Sequence, residues 1–295
     1  MNLAFLSLAL QSTITATPNA IESSRHSHFE SQIDKSARLT NEITNNYTNV
    51  GRSIVNYLVR EGGRGRGDAY RTLAYFTDTY GNRMAGTENY AKAASYVINQ
   101  LGKVEKFDNV HGEPARVPKW VRGTEKAKLI KPRESRIEIL GLGGSVSTPG
   151  GLPIVADAVV VRTFEELEWI GLKGLVKDKI VVYNQEYISY SHSASYRRYG
   201  ADLASSYGAV AVLIRSAVAR SVNTLATGQM NYGENGTVPK IPAAAISVET
   251  AEMLYRMFRR GQPINIELTM TSKPDGWTQD VNVVAEITGS LYPNE

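Results

Sequence analysis

The sequence predicts an α/β fold, and two observations support this prediction. From about residue 157 onward, short apolar segments alternate with segments whose apolar residues recur at helical spacing. Two of the apolar segments, at 180–182 and 210–214, are continuous runs of aliphatic residues. Continuous runs of this length are typical of strands that are buried on both faces. The second half of the chain is therefore expected to form a sheet covered by helices.

Helices are predicted in about the first 110 residues, before the strands begin. Residues up to about 49 are polar and predict a loosely structured or helical approach, and a glycine-rich basic linker follows at 62–68. Asp68 is expected to cap one helix and Thr87 a second. Strands are then predicted at 111–131, 136–140, 157–162, 179–183, 209–215, 243–247 and 264–270, and helices at 164–172, 193–207 and 250–260.

Composition narrows the class of protein. The 295 residues are 42% hydrophobic and 21% charged with a net charge of +4, as in an ordinary soluble domain or pair of domains, and a nucleic-acid partner is not favoured. The absence of cysteine excludes disulfides, thiolate metal sites and cysteine nucleophiles. No apolar run is long enough to predict a membrane span.

Several features predict export. Residues 1–20 contain a short apolar segment followed by small residues and are expected to be a signal peptide, although no Lys or Arg precedes the apolar segment. Asn46 and Asn235 each begin an Asn-x-Thr triplet and are candidate glycosylation sites. The protein is therefore expected to be secreted.

Motifs for catalysis are few. The turn at 141–145 is rich in glycine, but the Ser-Thr-Pro-Gly-Gly that follows cannot open a helix toward a dinucleotide. The four histidines form no metal-ligand spacing, and no Gly-x-Ser-x-Gly is present. Residues 183–190 are aromatic and polar and follow a predicted strand, so they are either a ligand or interdomain contact or an ordinary tyrosine-rich loop.

Residues 80–87, Tyr-Gly-Asn-Arg-Met-Ala-Gly-Thr, resemble the helix–turn–helix signature that opens the zinc-dependent exopeptidases of the aminopeptidase/glutamate carboxypeptidase family. Further segments resemble one branch of that family, and the resemblance runs from about Asp68 to the end of the chain. These segments lie at 113–125, 139–143, 179–185, 213–216, 238–243 and 282–290.

The resemblance implies a domain plan. Residues 21–67 would be leader and linker, 68–134 the first part of an incomplete α/β peptidase domain, and 263–295 the start of its remainder. Residues 135–262 would be an inserted protease-associated domain, a mixed sheet or barrel with flanking helices. Family members use two zinc ions to cleave peptide substrates, form homodimers and are secreted or lysosomal. Tyr183, Tyr187, Tyr190 and Arg215 are candidate substrate contacts of the inserted domain.

The resemblance also implies a limit. Every family metal ligand would lie beyond residue 295, so no catalytic or metal-binding residue can be assigned, and no zinc is expected on this chain. The preferred hypothesis is an N-terminal portion, a fragment that is inactive alone, and the alternative is a stand-alone module that binds peptides or proteins. An apparently unpaired strand at 281–287 speaks against the alternative, because exposed strand edges promote aggregation. An adhesive role through Arg66-Gly67-Asp68 is a remote third possibility.

Overall fold

The computed structural model describes residues 18–220, 222–233, 238–290 and 293, with side chains from Lys35 onward. The chain divides into two compact units, and the boundary falls between Gly81 and Asn82. Most of the predicted signal peptide lies outside the described residues. The predicted α/β class is confirmed, since helices and a mixed sheet occupy the second unit.

The first unit contains helices α1 (Pro18–Leu58) and α2 (Asp68–Tyr80). The polar segment up to about residue 49 was expected to be either loosely structured or helical, and from Pro18 onward it is helical. The predicted role of Asp68 as a helix cap is wrong, because Gly67 occupies the cap position with a left-handed φ of 81°. Asp68 is instead the first helical residue and pairs with Arg71 one turn later. A carboxylate in the first turn still favours the helix through the helix dipole.

The second unit begins with helix α3 (Glu88–Asn99), which continues into a π-helical turn at Gln100–Val104. Thr87 caps α3 as predicted, since its side chain accepts a hydrogen bond from the Tyr90 amide at 3.3 Å. The next element is a two-stranded antiparallel ribbon, formed by β1 (Asp108–Val121) and β10 (Lys273–Glu286).

The ribbon corrects one expectation. The strand predicted at 281–287 to be unpaired lies in β10, where Val281 pairs with Pro114 and Val284 with His111. The partner residues are more than 160 positions apart in the chain. Local sequence patterns carry no information about a pairing over such a distance, which is why the partner was missed.

The other eight strands form one mixed sheet in the order β3-β2-β9-β5-β6-β7-β8-β4. Strands β5 to β8 run parallel, and the remaining neighbours are antiparallel. The predicted strand at 136–140 is two short strands that lie at opposite ends of this order. The bounds are β2 (Glu125–Lys131), β3 (Ser135–Ile137), β4 (Ile139–Gly141), β5 (Ile154–Val161), β6 (Ile180–Tyr183), β7 (Ala211–Arg215), β8 (Ala243–Ile246) and β9 (Asn265–Met270).

The sheet nearly closes on itself, and side-chain hydrogen bonds join the start of β2 to β4. The Glu125 carboxylate accepts a hydrogen bond from the Gly141 amide at 3.0 Å. Arg122 donates to the Gly141 carbonyl at 2.7 Å and to Glu125 at 3.0 Å. A mixed sheet or barrel with helices was expected for an inserted domain at 135–262. Those boundaries stay a prediction, and the sheet also includes β2 and β9, which flank that range.

Two hydrophobic cores cover the faces of the sheet. Helix α6 (Val248–Arg259) packs in one core, and helices α4 (Phe164–Leu172) and α5 (Tyr190–Ser206) line the other. Every residue of β6, β7 and β8 is buried, which agrees with the continuous apolar runs of the sequence. A Gly-rich 3-10 turn lies at Pro149–Gly151. Among the described residues, no helix combines the length and the apolar character needed to cross a membrane.

Candidate functional site

The carboxyl ends of the four parallel strands meet at one edge of the sheet. In α/β sheets, ligands commonly bind outside this edge, because the helices that follow the strands direct their amino termini toward it. Helices α4, α5 and α6 each begin there with a capping hydroxyl, supplied by Thr163, Ser189 and Ser247. This edge is therefore the candidate functional site of the described chain.

Arg215, the last residue of β7, is the central charge at this edge and is 9% exposed. Its Nη1 donates to Oε1 of Glu252 on α6 at 2.7 Å and to Oδ1 of Asn184 after β6 at 3.1 Å. The side chain of Glu252 remains 35% exposed, so the ion pair lies at the boundary between the core and solvent. Arg215 therefore links the ends of two neighbouring strands to helix α6.

Asn184 and Gln185 extend this arrangement along the edge. The backbone amide of Asn184 donates to the Val161 carbonyl at 2.8 Å, and the side-chain amide of Gln185 donates to the Arg215 carbonyl at 2.8 Å. Three buried polar atoms at this edge have no hydrogen-bond partner among the described residues: Nδ2 of Asn184, Oε1 of Gln185 and Nε of Arg215. Buried polar atoms are nearly always hydrogen-bonded to protein, water or ligand. The edge can therefore hold a small polar group that both donates and accepts.

The structure separates the predicted contact residues. Tyr183 is completely buried in the core, where its hydroxyl donates to the Gly200 carbonyl at 2.9 Å and burial raises the pKa of its phenol. Tyr187 is partly exposed in the loop that follows β6. Tyr190 is exposed at the start of α5, where a hydrogen bond from Arg197 and its positive charge lower the pKa of the phenol.

The substrate contacts of these tyrosines and of Arg215 stay predictions. The buried position of Tyr183 does not favour a contact, whereas Arg215 lies within a polar cluster. Sequence reasoning missed Glu252 and Arg197. A usable signal existed for Arg197, since it shares a helix face with Ala194, Ala201 and Ala204, all of which are buried.

Within the described ranges, His, Cys, Asp and Glu form no group of three or more that could hold a metal ion. A zinc site needs at least three protein ligands that converge on one point. No residue of the described ranges is therefore assigned to a zinc site.

One of the two candidate glycosylation sites lies among the described residues. Asn46 lies on α1 and is exposed to solvent, as an acceptor of an N-linked glycan must be. Asn235 lies outside the described residues. Glycosylation of either residue stays a prediction.

One solved structure resembles the chain in both fold and sequence. The chain is similar to a crystal structure of a peptidase M28 precursor from Shewanella amazonensis SB2B, with 33% sequence identity and a TM-score of 0.68. The match covers 76% of this chain and 51% of that chain. No family model matches the sequence. An M28 peptidase relative agrees with the exopeptidase resemblance that begins at the turn at 80–87.

Comparison with curated sequences is more specific and confirms the predicted resemblance. The chain is 43% identical over 249 residues to carboxypeptidase Q of Pongo abelii and 44% identical over 249 residues to that of Xenopus laevis. The identity to human carboxypeptidase Q is 42% over 246 residues. The first two matches cover 84% of this chain and 51% of the relatives. The chain thus spans about half the length of the curated relatives that it matches.

Proposed function

We propose that this chain is the N-terminal portion of a zinc metallo-exopeptidase that acts as a carboxypeptidase or dipeptidase on small peptides. The observation that supports this most strongly is the identity of 42–44% to carboxypeptidase Q, maintained over about 84% of the chain. In the complete protein, zinc would polarise the peptide carbonyl and activate a water molecule. In this proposal the 295 residues by themselves hydrolyse no peptide, because by resemblance the zinc ligands belong to the half of the relatives that this chain does not span.

An assay of the purified chain tests the proposal directly. The chain is incubated with a dipeptide and zinc, with and without a chelator, and intact carboxypeptidase Q of Xenopus laevis serves as the active control. We expect hydrolysis by the control alone. Zinc-dependent hydrolysis by the 295-residue chain that disappears with the chelator would refute the predicted inactivity and would require metal ligands outside the described residues.

Location and assembly belong to the same proposal. By resemblance to the family, the protein is secreted or lysosomal and forms a homodimer. The exposed position of Asn46 supports an exported protein that carries a glycan. Expression in a secreting eukaryotic cell, followed by glycosidase treatment, should lower the apparent mass, and an Asn46→Gln variant should lose that part of the shift. Light scattering of the secreted chain measures the oligomeric state.

A stand-alone binding module is the second candidate, and one structural finding favours it. The strand at 281–287 is paired with β1 over most of its length, so the expected aggregation-prone edge is not left wholly uncovered. In this case the polar edge around Arg215 would be the contact surface for a peptide. A folded chain that binds peptides with micromolar or better affinity, and loses binding in Arg215→Met, would support the module. A matched variant at an exposed arginine, Arg259→Met, should retain binding.

A further inference from the structure

Helix α5 buries an arginine that has no carboxylate partner in the part of the chain that the structure describes. Arg197 is 8% exposed. Its Nη2 donates to the Tyr190 hydroxyl at 3.0 Å and its Nη1 to the Thr227 carbonyl at 3.5 Å, but no Asp or Glu among the described residues pairs with it. Arg215, which is also buried, has Glu252 as its counter-charge. Buried charges in proteins are ordinarily paired, because an uncompensated charge in a poorly hydrated environment is costly.

A second buried polar group accompanies this arginine. Ser193 precedes Arg197 by four residues on α5, so the two side chains lie on the same face of the helix. Ser193 is 1% exposed, and neither its hydroxyl nor Nε of Arg197 has a hydrogen-bond partner within the described part of the chain. Both groups can donate a hydrogen bond, and Arg197 also carries a positive charge. An acceptor with negative charge would satisfy both.

The surroundings hold the guanidinium in place. A Cβ at Gly228 would lie 2.5 Å from Cζ of Arg197, so only glycine allows the backbone to approach the guanidinium this closely. The Tyr190 ring centroid lies 5.6 Å from Cζ, within range of a cation–π contact. Ser193 lies near the amino terminus of α5, where the helix dipole favours negative charge. These contacts position the guanidinium in the absence of an anion.

We propose that Ser193 and Arg197 form a binding site for a small oxyanion, such as a carboxylate. One oxygen would accept from Nε of Arg197 and another from the Ser193 hydroxyl, as in other charge-assisted hydrogen bonds of arginine to carboxylate. A peptide presents the same group at its carboxyl terminus, and free phosphate offers equivalent oxygens. The oxyanion site requires neither zinc nor peptide hydrolysis. Failure of the proposed exopeptidase function would therefore leave this site intact, and failure of this site would leave the proposed function intact.

Calorimetric titration of the 295-residue chain tests the site. The probes are sodium acetate, sodium phosphate, N-acetyl-alanyl-alanine and the carboxamide of the same peptide, all at constant ionic strength with chloride as the background anion. We expect the oxyanions to bind and the carboxamide not to bind. Tighter binding of the peptide acid than of phosphate identifies a peptide terminus as the ligand, and the reverse order identifies an inorganic anion.

Variants assign the binding to the two residues. Arg197→Gln should weaken binding by about tenfold or more, as expected for losing a hydrogen bond to a charged group. Ser193→Ala should weaken it by less, and Arg198→Gln, the neighbouring exposed arginine, should leave it unchanged. Circular dichroism checks folding, and if Arg197→Gln is unfolded, Ser193→Ala decides. The proposal is overturned if no oxyanion binds more tightly than the carboxamide, or if all folded variants bind equally.

Discussion

The eight-stranded sheet and the two-stranded ribbon are built on opposite principles. In the sheet, strands β6, β7 and β8 are buried at every position, and two cores cover their faces. In the ribbon, the 14-residue strands β1 and β10 contain a single buried residue between them, Asp280. The sheet therefore draws its stability from apolar burial, whereas the ribbon depends on backbone pairing and a few polar contacts.

A matched pair of valine truncations gives the largest expected contrast. Val182 of β6 is completely buried, and Val284 of β10 is only partly buried. Val182→Ala should lower the free energy of unfolding by about 2.5 kcal/mol, since it removes two buried methyl groups and leaves a cavity. Val284→Ala should cost less than about 1 kcal/mol, because part of its surface is already hydrated. Urea denaturation of both variants measures the difference, and equal costs would show that the ribbon is packed as tightly as the sheet.

The same contrast explains what could be predicted from the sequence. Helix α4 was predicted at its observed bounds and β6 within one residue, because a buried element leaves a continuous or periodic apolar pattern. The pairing of Val284 with His111 had no such local signal. The polar contacts of the candidate sites were equally hidden, since Arg215 meets Glu252 only after β7 and α6 have packed together.

The second contrast concerns ion pairs. At the sheet edge, Nη1 of the buried Arg215 lies 2.7 Å from Oε1 of Glu252. In the ribbon, Nζ of Lys119 lies 2.8 Å from Oδ2 of Asp275, and both side chains are exposed. Glu252→Ala leaves the buried guanidinium without its counter-charge and should cost about 2 kcal/mol, a value reduced for the partial exposure of Glu252.

Asp275→Ala should have a much smaller effect, because water screens an exposed pair. Unfolding measured at low and at high salt separates the two cases: only the ribbon pair should lose its contribution as salt is added. If Glu252→Ala costs no more than Asp275→Ala, Arg215 is better hydrated than its position indicates.

Asp280, the one buried residue of the ribbon, makes a polar contact outside the ribbon. The Asp280 carboxylate accepts a hydrogen bond from the Gly86 amide at 2.6 Å, which fixes the turn before α3 to β10. Asp280→Ala should cost about 1 kcal/mol, because that amide loses its acceptor. Asp280→Asn retains an acceptor and should cost less. Hydrogen exchange at the Gly86 amide is the local readout, and unchanged protection in Asp280→Ala would show that the hydrogen bond does not hold the turn.

The smallest expected effects depend on pH and compare one aspartate from each region. In the sheet, a hydrogen bond from Asn265, assisted by Lys179, lowers the pKa of Asp157. In the ribbon, a hydrogen bond from the Thr288 amide lowers the pKa of Asp108. A carboxylate whose pKa is lowered on folding stabilises the protein above its unfolded pKa of about 3.9 and loses that contribution as pH falls through the folded value.

Asp157→Asn and Asp108→Asn should therefore each reduce stability slightly at pH 6, and each variant should lose less stability than the parent chain as pH falls from 6 to 3. Because Asp157 has both an amide donor and a lysine partner, at 3.0 and 2.9 Å, its variant should show the larger change. Urea midpoints across this pH range test the order. An equal response in both variants would mean that the lysine adds nothing measurable at an exposed position, as often holds for surface pairs.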